Sequence, residues 1–267
     1  MLRKMMLPSL MLALSVSFAF GGDTPKVPAG ASGSQIADKG IEAIGGASAW
    51  RAVSTMSYGG KMDAGGKQNV QLPFLLQMKR PRKTRVEIEF EKDKAIQVYD
   101  GQSGWKLRPF LNRRDVEPFS AEELQVASME PDLDGYLVDY SAKGEKVDLE
   151  GVDNVEGHDA YRLKLTTKDG RARHLWIDKQ SYLIVKIEGA PRRMDGKMRP
   201  VEVYLRDYRT VNGLKVPYVL ETTVQGAKKS HKMTIEKVQV NPKLDDSLFQ
   251  APKGTQAPKS VQAPRSK

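Results

Sequence analysis

Hydrophobic and polar residues alternate with a period of two over most of the chain between Thr55 and Val240. Residues 201–206, for example, read Val-Glu-Val-Tyr-Leu-Arg. Such alternation is typical of antiparallel strands that are buried on one face only. Tight turns between successive strands are predicted at Asp169-Gly170, Asp195-Gly196 and Asn212-Gly213.

A first helix is predicted ahead of this patterned region. Ser34 is a suitable N-cap, and Ile36, Ile41 and Ile44 place apolar side chains on one side of a helix. The pair Gly45-Gly46 is expected to end it.

The alternation is interrupted once more between Phe119 and Tyr140. Ser120 and Glu123 have the spacing of a capping box, which predicts a helix. Pro131 is a favourable first residue for a second helix. An apolar stripe at helical spacing follows, and we expect this lid to lie on the sheet: Leu133, Tyr136, Leu137 and Tyr140.

These elements predict a mainly β fold. We expect a single antiparallel sheet of about 11–12 strands, curved into an incomplete (half) barrel, with short helices covering one mouth. No linker or shift in composition divides residues 34–250, which are therefore predicted to form one domain.

The N-terminal residues have the parts of a secretory signal peptide: a cationic start, an apolar run, and small residues at Ala19 and Gly21. We therefore expect a signal peptide over residues 1–21, cleaved near Gly21, a linker over 22–33, and a soluble periplasmic protein. A transmembrane anchor is the alternative. It is disfavoured because the run contains Pro8 and is shorter than the roughly 20 apolar residues that span a bilayer.

Composition narrows the function further. The chain has no cysteine, so it forms no disulfide and has no lipoprotein attachment site. Its net charge is +10, but the signal peptide carries two cations and residues 251–267 carry four without an acid. This Gln-Ala-Pro-repeating tail is predicted to be disordered, with at most weak attraction to anionic lipid or cell-wall polymer. A nucleic-acid partner is disfavoured, since the domain lacks a basic face with interleaved aromatics.

No motif for catalysis, metal binding or cofactor binding is evident. Residues 101–104 read Gly-Gln-Ser-Gly, which misses the nucleophile-elbow spacing and is better explained as a turn. His158, His174 and His231 lie at no metal-ligand spacing. The chain is therefore predicted not to be an enzyme and to bind neither metal nor cofactor.

Several segments resemble, in order, one known family. Residues 78–81 read Met-Lys-Arg-Pro, and 98–105 read Val-Tyr-Asp-Gly-Gln-Ser-Gly-Trp. Near the end, 245–249 read Asp-Asp-Ser-Leu-Phe and 251–254 read Ala-Pro-Lys-Gly. This series resembles the LolA-like family, whose fold is shared by LolA, LolB, RseB and LppX, and in particular its divergent outer-membrane lipoprotein-sorting members.

The resemblance implies a function as well as a fold. It implies a monomeric periplasmic carrier that binds lipid or lipoprotein acyl chains in a hydrophobic cavity. The cargo would move towards the outer membrane between membrane-bound donor and acceptor proteins. A lipid- or lipoprotein-sensing regulatory module of RseB type is the alternative. An envelope hydrolase with dispersed catalytic residues is a third, less favoured hypothesis.

The resemblance also implies site residues. In the family, the arginine of the Lys-Arg-Pro run holds the lid to the barrel, and by position this latch is Arg80. Strand alternation does not tell which face of each strand points inward. The cavity lining is expected among Leu75, Met78, Val86, Ile88, Val98, Trp105, Leu163, Leu165, Val203, Leu205, Tyr218 and Leu220.

Overall fold

The structure is a computed structural model, which describes residues 30–64, 70–109 and 113–253, with only the backbone of Arg113. The predicted signal peptide and most of the predicted linker and tail lie outside the described residues. No helix in the described part of the chain is both long and apolar enough to cross a membrane.

A single sheet of thirteen strands dominates the described residues. The strands are β1 Thr55–Asp63, β2 Gln71–Lys79, β3 Lys83–Phe90, β4 Asp93–Tyr99, β5 Gly104–Arg108, β6 Arg113–Pro118, β7 Lys146–Val155, β8 His158–Thr166, β9 Ala172–Asp178, β10 Ile184–Met194, β11 Lys197–Val211, β12 Leu214–Val224 and β13 His231–Val240. Their order is β6-β5-β4-β3-β2-β1-β13-β12-β11-β10-β9-β8-β7. The predicted single open antiparallel sheet is confirmed, with thirteen strands rather than 11–12.

The topology consists of two meanders. The chain runs outward from β1 to the edge strand β6, crosses to the opposite edge at β7, and returns strand by strand until β13 pairs with β1. The connection over residues 119–145 must therefore pass from one edge of the sheet to the other. We call it the crossing segment.

The strand register defines two faces of the sheet, because residues paired across an antiparallel ladder point to the same side. The inner face is the one on which the helices and the crossing segment pack. One row of it runs through Tyr58, Leu76 and Val86, which pair in succession.

Helix α1, Gly33–Ala43, begins at a capping box formed by Ser32 and Gln35. The predicted N-cap, Ser34, is therefore wrong by two residues, because Ser32 supplies the hydroxyl that accepts the Gln35 backbone N–H. Ile36, Ala37 and Gly40 are buried against the sheet, and Gly45 and Gly46 follow the helix in left-handed conformation. Gly33 lies so close to β7 that a Cβ there would meet the Val147 carbonyl oxygen at 2.6 Å.

Two further helices lie at the same side of the sheet. Helix α2, Ala47–Arg51, buries Trp50. Helix α3, Ala121–Met129, begins at the predicted capping box of Ser120 and Glu123. A short 3₁₀ helix, Asp246–Phe249, follows β13 and buries Phe249.

The second helix predicted after Pro131 does not form. Residues 133–144 are instead a succession of turns, with backbone hydrogen bonds such as Gly135 N–H to Asp132 O and Tyr140 N–H to Leu137 O. Gly135 and Asp139 have positive φ, which is incompatible with a continuous helix.

Two apolar clusters fill the inner side. The first joins α2 to strands β1, β2, β12 and β13, and it includes Leu133 and Val138 of the crossing segment. The second joins α1 to β7–β10 and includes Leu137. The crossing segment therefore contributes to both halves of the core.

The first prediction concerns the bulge where β1 meets β13, at the neighbouring residues Gly59 and Gly60. A Cβ at Gly60 would collide with the Thr234 carbonyl oxygen, whereas a Cβ at Gly59 meets nothing within 4 Å. Gly60→Ala is expected to lower the free energy of unfolding by about 1–3 kcal/mol. The matched variant Gly59→Ala should change it by less than about 1 kcal/mol. Urea unfolding of both variants measures the difference, and equal effects would contradict the register of β1 with β13.

Candidate functional site: an apolar inner face under a crossing segment

The inner face carries a continuous apolar surface that the helices cover only in part. Several of its side chains are half-buried although they adjoin the first core cluster: Tyr58, Met62, Leu76, Met78, Ile88, Leu220 and Met233. Val86 and Val203 continue the surface and are also half-buried. A half-exposed concave apolar surface is a suitable site for an apolar ligand.

Methionine is prominent on this surface. Met56 pairs with Met78 across β1 and β2, and Met62 pairs with Met233 across β1 and β13. Unbranched thioether side chains adapt their shape to what they contact. This part of the inner face can therefore fit apolar chains of varied shape.

The register divides the twelve predicted lining residues between the two faces. Nine share the inner face: Met78, Val86, Ile88, Leu163, Leu165, Val203, Leu205, Tyr218 and Leu220. Leu75, Val98 and Trp105 have the opposite parity. They lie on the outer face with Arg85, whose guanidinium donates to the Leu248 carbonyl of the 3₁₀ helix at 3.0 Å.

Leu163, Leu165 and Tyr218 on the inner face are buried, with at most 7% exposure. They belong to the packed core. Of the predicted lining, the half-exposed residues are the ones that a ligand can reach.

Tyr58 lies on the inner face, packed against the first core cluster. Burial is the larger cause that raises the pKa of Tyr58 well above its ordinary value, and the neighbouring Tyr218 adds to it. The Tyr58 hydroxyl therefore stays neutral at physiological pH, as an acyl-binding surface requires.

Arg80, at the end of β2, connects three segments. Its Nε donates to the Val53 carbonyl at 2.8 Å and its Nη2 to the Trp50 carbonyl at 3.2 Å. The same guanidinium reaches the crossing segment, with Nη2 2.7 Å from Asp134 Oδ2 and Nη1 3.2 Å from Asp132 Oδ2.

Asp134 depends strongly on this contact. Its side chain is only 2% exposed, and its Oδ1 has no hydrogen-bond partner among the described residues. The ammonium of Lys143 forms a longer ion pair with this oxygen, at 3.5 Å. A buried carboxylate needs a compensating charge, and Arg80 supplies most of it.

The four predicted lid residues do not form one stripe. Leu133 (5% exposed) joins the first core cluster, and Leu137 (3%) joins the second. Tyr136 and Tyr140 are half-buried against the second cluster. The Tyr136 hydroxyl accepts from Arg173 at 2.7 Å and donates to Glu130 at 3.2 Å.

Helix α3 is attached in a different way, because it buries none of its residues and leaves Val126 38% exposed. Lys106, on the inner face of β5, lies 2.6 Å from both carboxylate oxygens of Glu123. Arg82 donates to the carbonyls of Ser128 and Glu130 (2.8 Å for the latter), where cations are favourable at a helix C-terminus. Side-chain hydrogen bonds at both ends, rather than burial, therefore hold α3.

The electrostatics of Glu123 fit this attachment. Burial is the largest influence and would raise the pKa of Glu123, but hydrogen bonds from Lys106 and Ser120 outweigh it and leave the pKa lowered. The ion pair is therefore complete above the ordinary pKa of glutamate and is lost as the pH falls through the lowered value.

Arg82, Lys106 and Asp134 were not among the predicted site residues. The sequence favours ordinary surface pairing of Arg82 with Glu87 and Glu89, whereas in the structure it donates to carbonyls at the end of α3. Asp132 and Asp134 have the pattern of acidic residues in the first turn of a helix. That helix does not form, and both carboxylates instead contact Arg80.

A cleft of about 740 Å³ lies beside the crossing segment, between it and the turn that joins β8 to β9. Charged side chains line it, among them Arg82, Asp132, Lys143, Arg171 and Arg173, but apolar atoms form most of its exposed surface. This cleft can therefore accept a ligand that has both charged and apolar parts.

The remaining polar candidates have local structural contacts. His174 lies between Glu188 (2.6 Å from Nδ1) and Glu150 (3.1 Å from Nε2). Asp100 accepts the backbone N–H groups of Gln102 and Ser103, which makes 100–103 a turn. Among the described residues, no group of three or more histidine or acidic side chains is arranged to hold a metal ion.

Comparisons of sequence give little. A family model described only as "Uncharacterized protein" matches residues 135–253, which is less than half of the chain. No curated protein matches the chain.

Comparisons of structure give the fold. A Vibrio parahaemolyticus domain assigned provisionally to outer membrane lipoprotein sorting matches with 15% identity and a TM-score of 0.55, over 81% of this chain and 95% of that one. A DUF1329 family protein from Desulfovibrio piger matches with 15% identity and a TM-score of 0.54, over 82% and 95%. A LolA superfamily protein from Nitrosomonas europaea matches with 15% identity and a TM-score of 0.53, over 82% and 98%.

The second prediction concerns the Arg80 contact. Arg80→Leu leaves Asp134 buried without its main partner, so it should lower the free energy of unfolding by about 3 kcal/mol. Arg51→Leu is the matched control. It removes a guanidinium that pairs with Asp139 of the same segment but is 59% exposed, and its effect should be much smaller. Urea unfolding of both variants is the measurement, and a neutral Arg80→Leu would exclude a structural role for this ion pair.

Proposed function

We propose that this chain, a divergent protein of LolA-like fold, is a periplasmic carrier that binds the acyl chains of lipids or lipoproteins on its inner face. The observation that carries the proposal is the half-exposed apolar surface of Met62, Leu76, Val86, Ile88 and Met233 on the inner face of the sheet.

The energy available on such a surface is sufficient for carriage. Burying a methylene group contributes about 0.8 kcal/mol, so a fully enclosed chain of about 16 carbons would gain roughly 12 kcal/mol. Tight binding alone would prevent delivery. A carrier therefore needs an element that competes with the cargo, and α3 is the best candidate.

Helix α3 is suited to move because the bonds that hold it are few and partly exposed. Elements with little burial open at low free-energy cost. In this proposal Arg82 and Lys106 hold α3 closed over the inner face, and cargo binds the form in which α3 is displaced. Each bond that holds α3 therefore lowers affinity and favours release.

Arg80 has a separate part in the proposed cycle. It ties the 132–134 turn to the α2–β1 connection through two backbone carbonyls and two carboxylates. The latch function that the family resemblance assigns to Arg80 is thus proposed to be shared. Arg80 anchors the base of the crossing segment, and Arg82 and Lys106 secure the helix that moves.

Two observations support the location and the direction of transport. The N-terminal signal pattern favours the periplasm, and a structural neighbour is provisionally assigned to outer membrane lipoprotein sorting. We propose transfer towards the outer membrane, between a membrane-bound donor and acceptor.

The third prediction tests the binding surface with a fluorescent fatty acid. Wild type should bind it saturably at micromolar concentration. Leu76→Glu places a carboxylate on the inner face and should weaken binding by at least about tenfold, because an unpaired charge is costly among acyl chains. Gln77→Glu puts the same group on the outer face of the same strand and should bind like wild type.

Both variants should first be shown to unfold cooperatively in urea. If wild type shows no saturable binding, the carrier proposal fails. If both glutamate variants lose binding equally, the site is not on the inner face.

The fourth prediction tests α3 as the moving element. Arg82→Gln and Lys106→Gln should speed amide hydrogen exchange over residues 121–129, raise affinity for the fluorescent fatty acid, and slow its transfer to acceptor vesicles. A charged hydrogen bond at this exposure contributes about 1.5 kcal/mol or less, so the changes should reach at most about tenfold.

Lys94→Gln is the control, because it breaks an ion pair of similar length with Glu87 on the outer face. Normal exchange and transfer in both α3 variants would remove α3 from the mechanism. The binding surface would then be judged by the third prediction alone.

A further inference from the structure

Two neighbouring hairpins project beyond the covered part of the sheet. One joins β10 to β11 and comprises residues 190–200; the other joins β12 to β13 and comprises 225–232. They are in contact: Gln225 N–H donates to the Pro200 carbonyl at 2.9 Å. The Met194 methyl group also lies 3.5 Å from where a Cβ on Gly226 would be.

These two hairpins, which we call the basic patch, contain seven cations and one acid. The cations are Arg192, Arg193, Lys197, Arg199, Lys228, Lys229 and Lys232, and the acid is Asp195. All described residues together contain 36 basic and 32 acidic side chains. Outside the basic patch, the described residues therefore include 29 basic and 31 acidic side chains. The net positive charge of the described residues comes from the patch.

Several cations of the patch also have no carboxylate partner in the described part of the chain. Among the described residues, no carboxylate forms an ion pair with Arg192, Lys197 or Lys228. Arg192 pairs directly with Arg199 across the β10–β11 ladder, which places like charges side by side. Such pairs destabilise a sheet, so folding alone does not account for them.

An apolar side chain accompanies this charge. Met198 is 50% exposed, the most exposed of the large hydrophobic residues described, and it lies opposite Arg193 on the hairpin. Cations around an exposed apolar side chain on a projecting hairpin are typical of surfaces that contact the membrane interface.

We infer that the basic patch docks the protein on a membrane surface that contains anionic lipid headgroups. Each lysine or arginine near such a surface contributes about 1 kcal/mol, so several together give measurable binding without a shaped pocket. A lipid interface offers both anionic headgroups and apolar chains, and so matches an exposed methionine among cations better than an acidic protein surface does. This inference is independent of cargo binding.

The test is co-sedimentation of the full chain, free of added fatty acid, with phosphatidylcholine vesicles that contain or lack phosphatidylglycerol. The test variant is Arg192→Gln/Lys197→Gln/Lys228→Gln. The matched control, Lys215→Gln/Lys237→Gln/Lys243→Gln, removes the same charge from exposed positions outside the patch. The C-terminal cations are kept in all three proteins.

Wild type should bind only the anionic vesicles, and more weakly as salt is raised. The patch variant should lose at least about tenfold in affinity, and the control should stay within about threefold. Met198→Ser should weaken the binding that persists at higher salt.

Equal losses in both triple variants would mean that only net charge matters, and the patch would not be a docking site. Equal binding to both kinds of vesicle would overturn the role of anionic headgroups. Absence of vesicle binding, together with patch-dependent binding to a polyglutamate probe, would assign the patch to an acidic protein and overturn the membrane inference. Failure of any of these tests would leave fatty-acid binding on the inner face unaffected.

Discussion

A sheet of thirteen strands that bends but does not close has an apolar inner face that must be covered by whatever the chain supplies. Here the topology supplies part of this cover. The first meander ends at one edge of the sheet and the second begins at the other, so residues 119–145 have to cross between them. Helices α1 and α2 and this one segment, which includes α3, cannot cover the whole face. The half-exposed surface around Leu76 and Met233 is a consequence of that shortage, and the same shortage makes it available to a ligand.

The crossing segment is stable in one half and loosely held in the other. Residues 133–138 insert Leu133, Leu137 and Val138 into both core clusters, and the buried Asp134 fixes their position through Arg80. Helix α3 precedes this anchored part and has only terminal hydrogen bonds. Breaking those bonds costs little, whereas displacing the 133–138 turns would disrupt the core. The structure thus separates a fixed base from a weakly attached helix within a single connection.

The sequence predicts the sheet, its open form and the Ser120 capping box because period-two alternation and capping chemistry are local signals. The prediction of a lid helix after Pro131 is wrong, and the reason is also physical. The spacing of Leu133 and Leu137 is helical, but the two side chains enter different clusters, and tertiary packing outweighs local periodicity. The sequence does not tell whether Leu75, Val98 and Trp105 point inward, because alternation defines two faces of a strand but not which one is the inner face. The strand register, which groups them with Arg85, assigns them to the outer face.

The distribution of charge follows from the same architecture. Outer-face cations on the central strands are matched by acids, as in the Arg85–Glu87–Lys94 group, where burial would raise the pKa of Glu87 but bonds from both cations leave it lowered. Inner-face positions beside the first cluster are mostly apolar, because a charge there would lose solvation. Unmatched cations are tolerated where they reach solvent, and the β10–β11 hairpin gathers several of them. The covering of the sheet thus leaves two surfaces with opposite chemistry: a half-exposed apolar face, and a projecting hairpin pair that carries the net positive charge of the described residues.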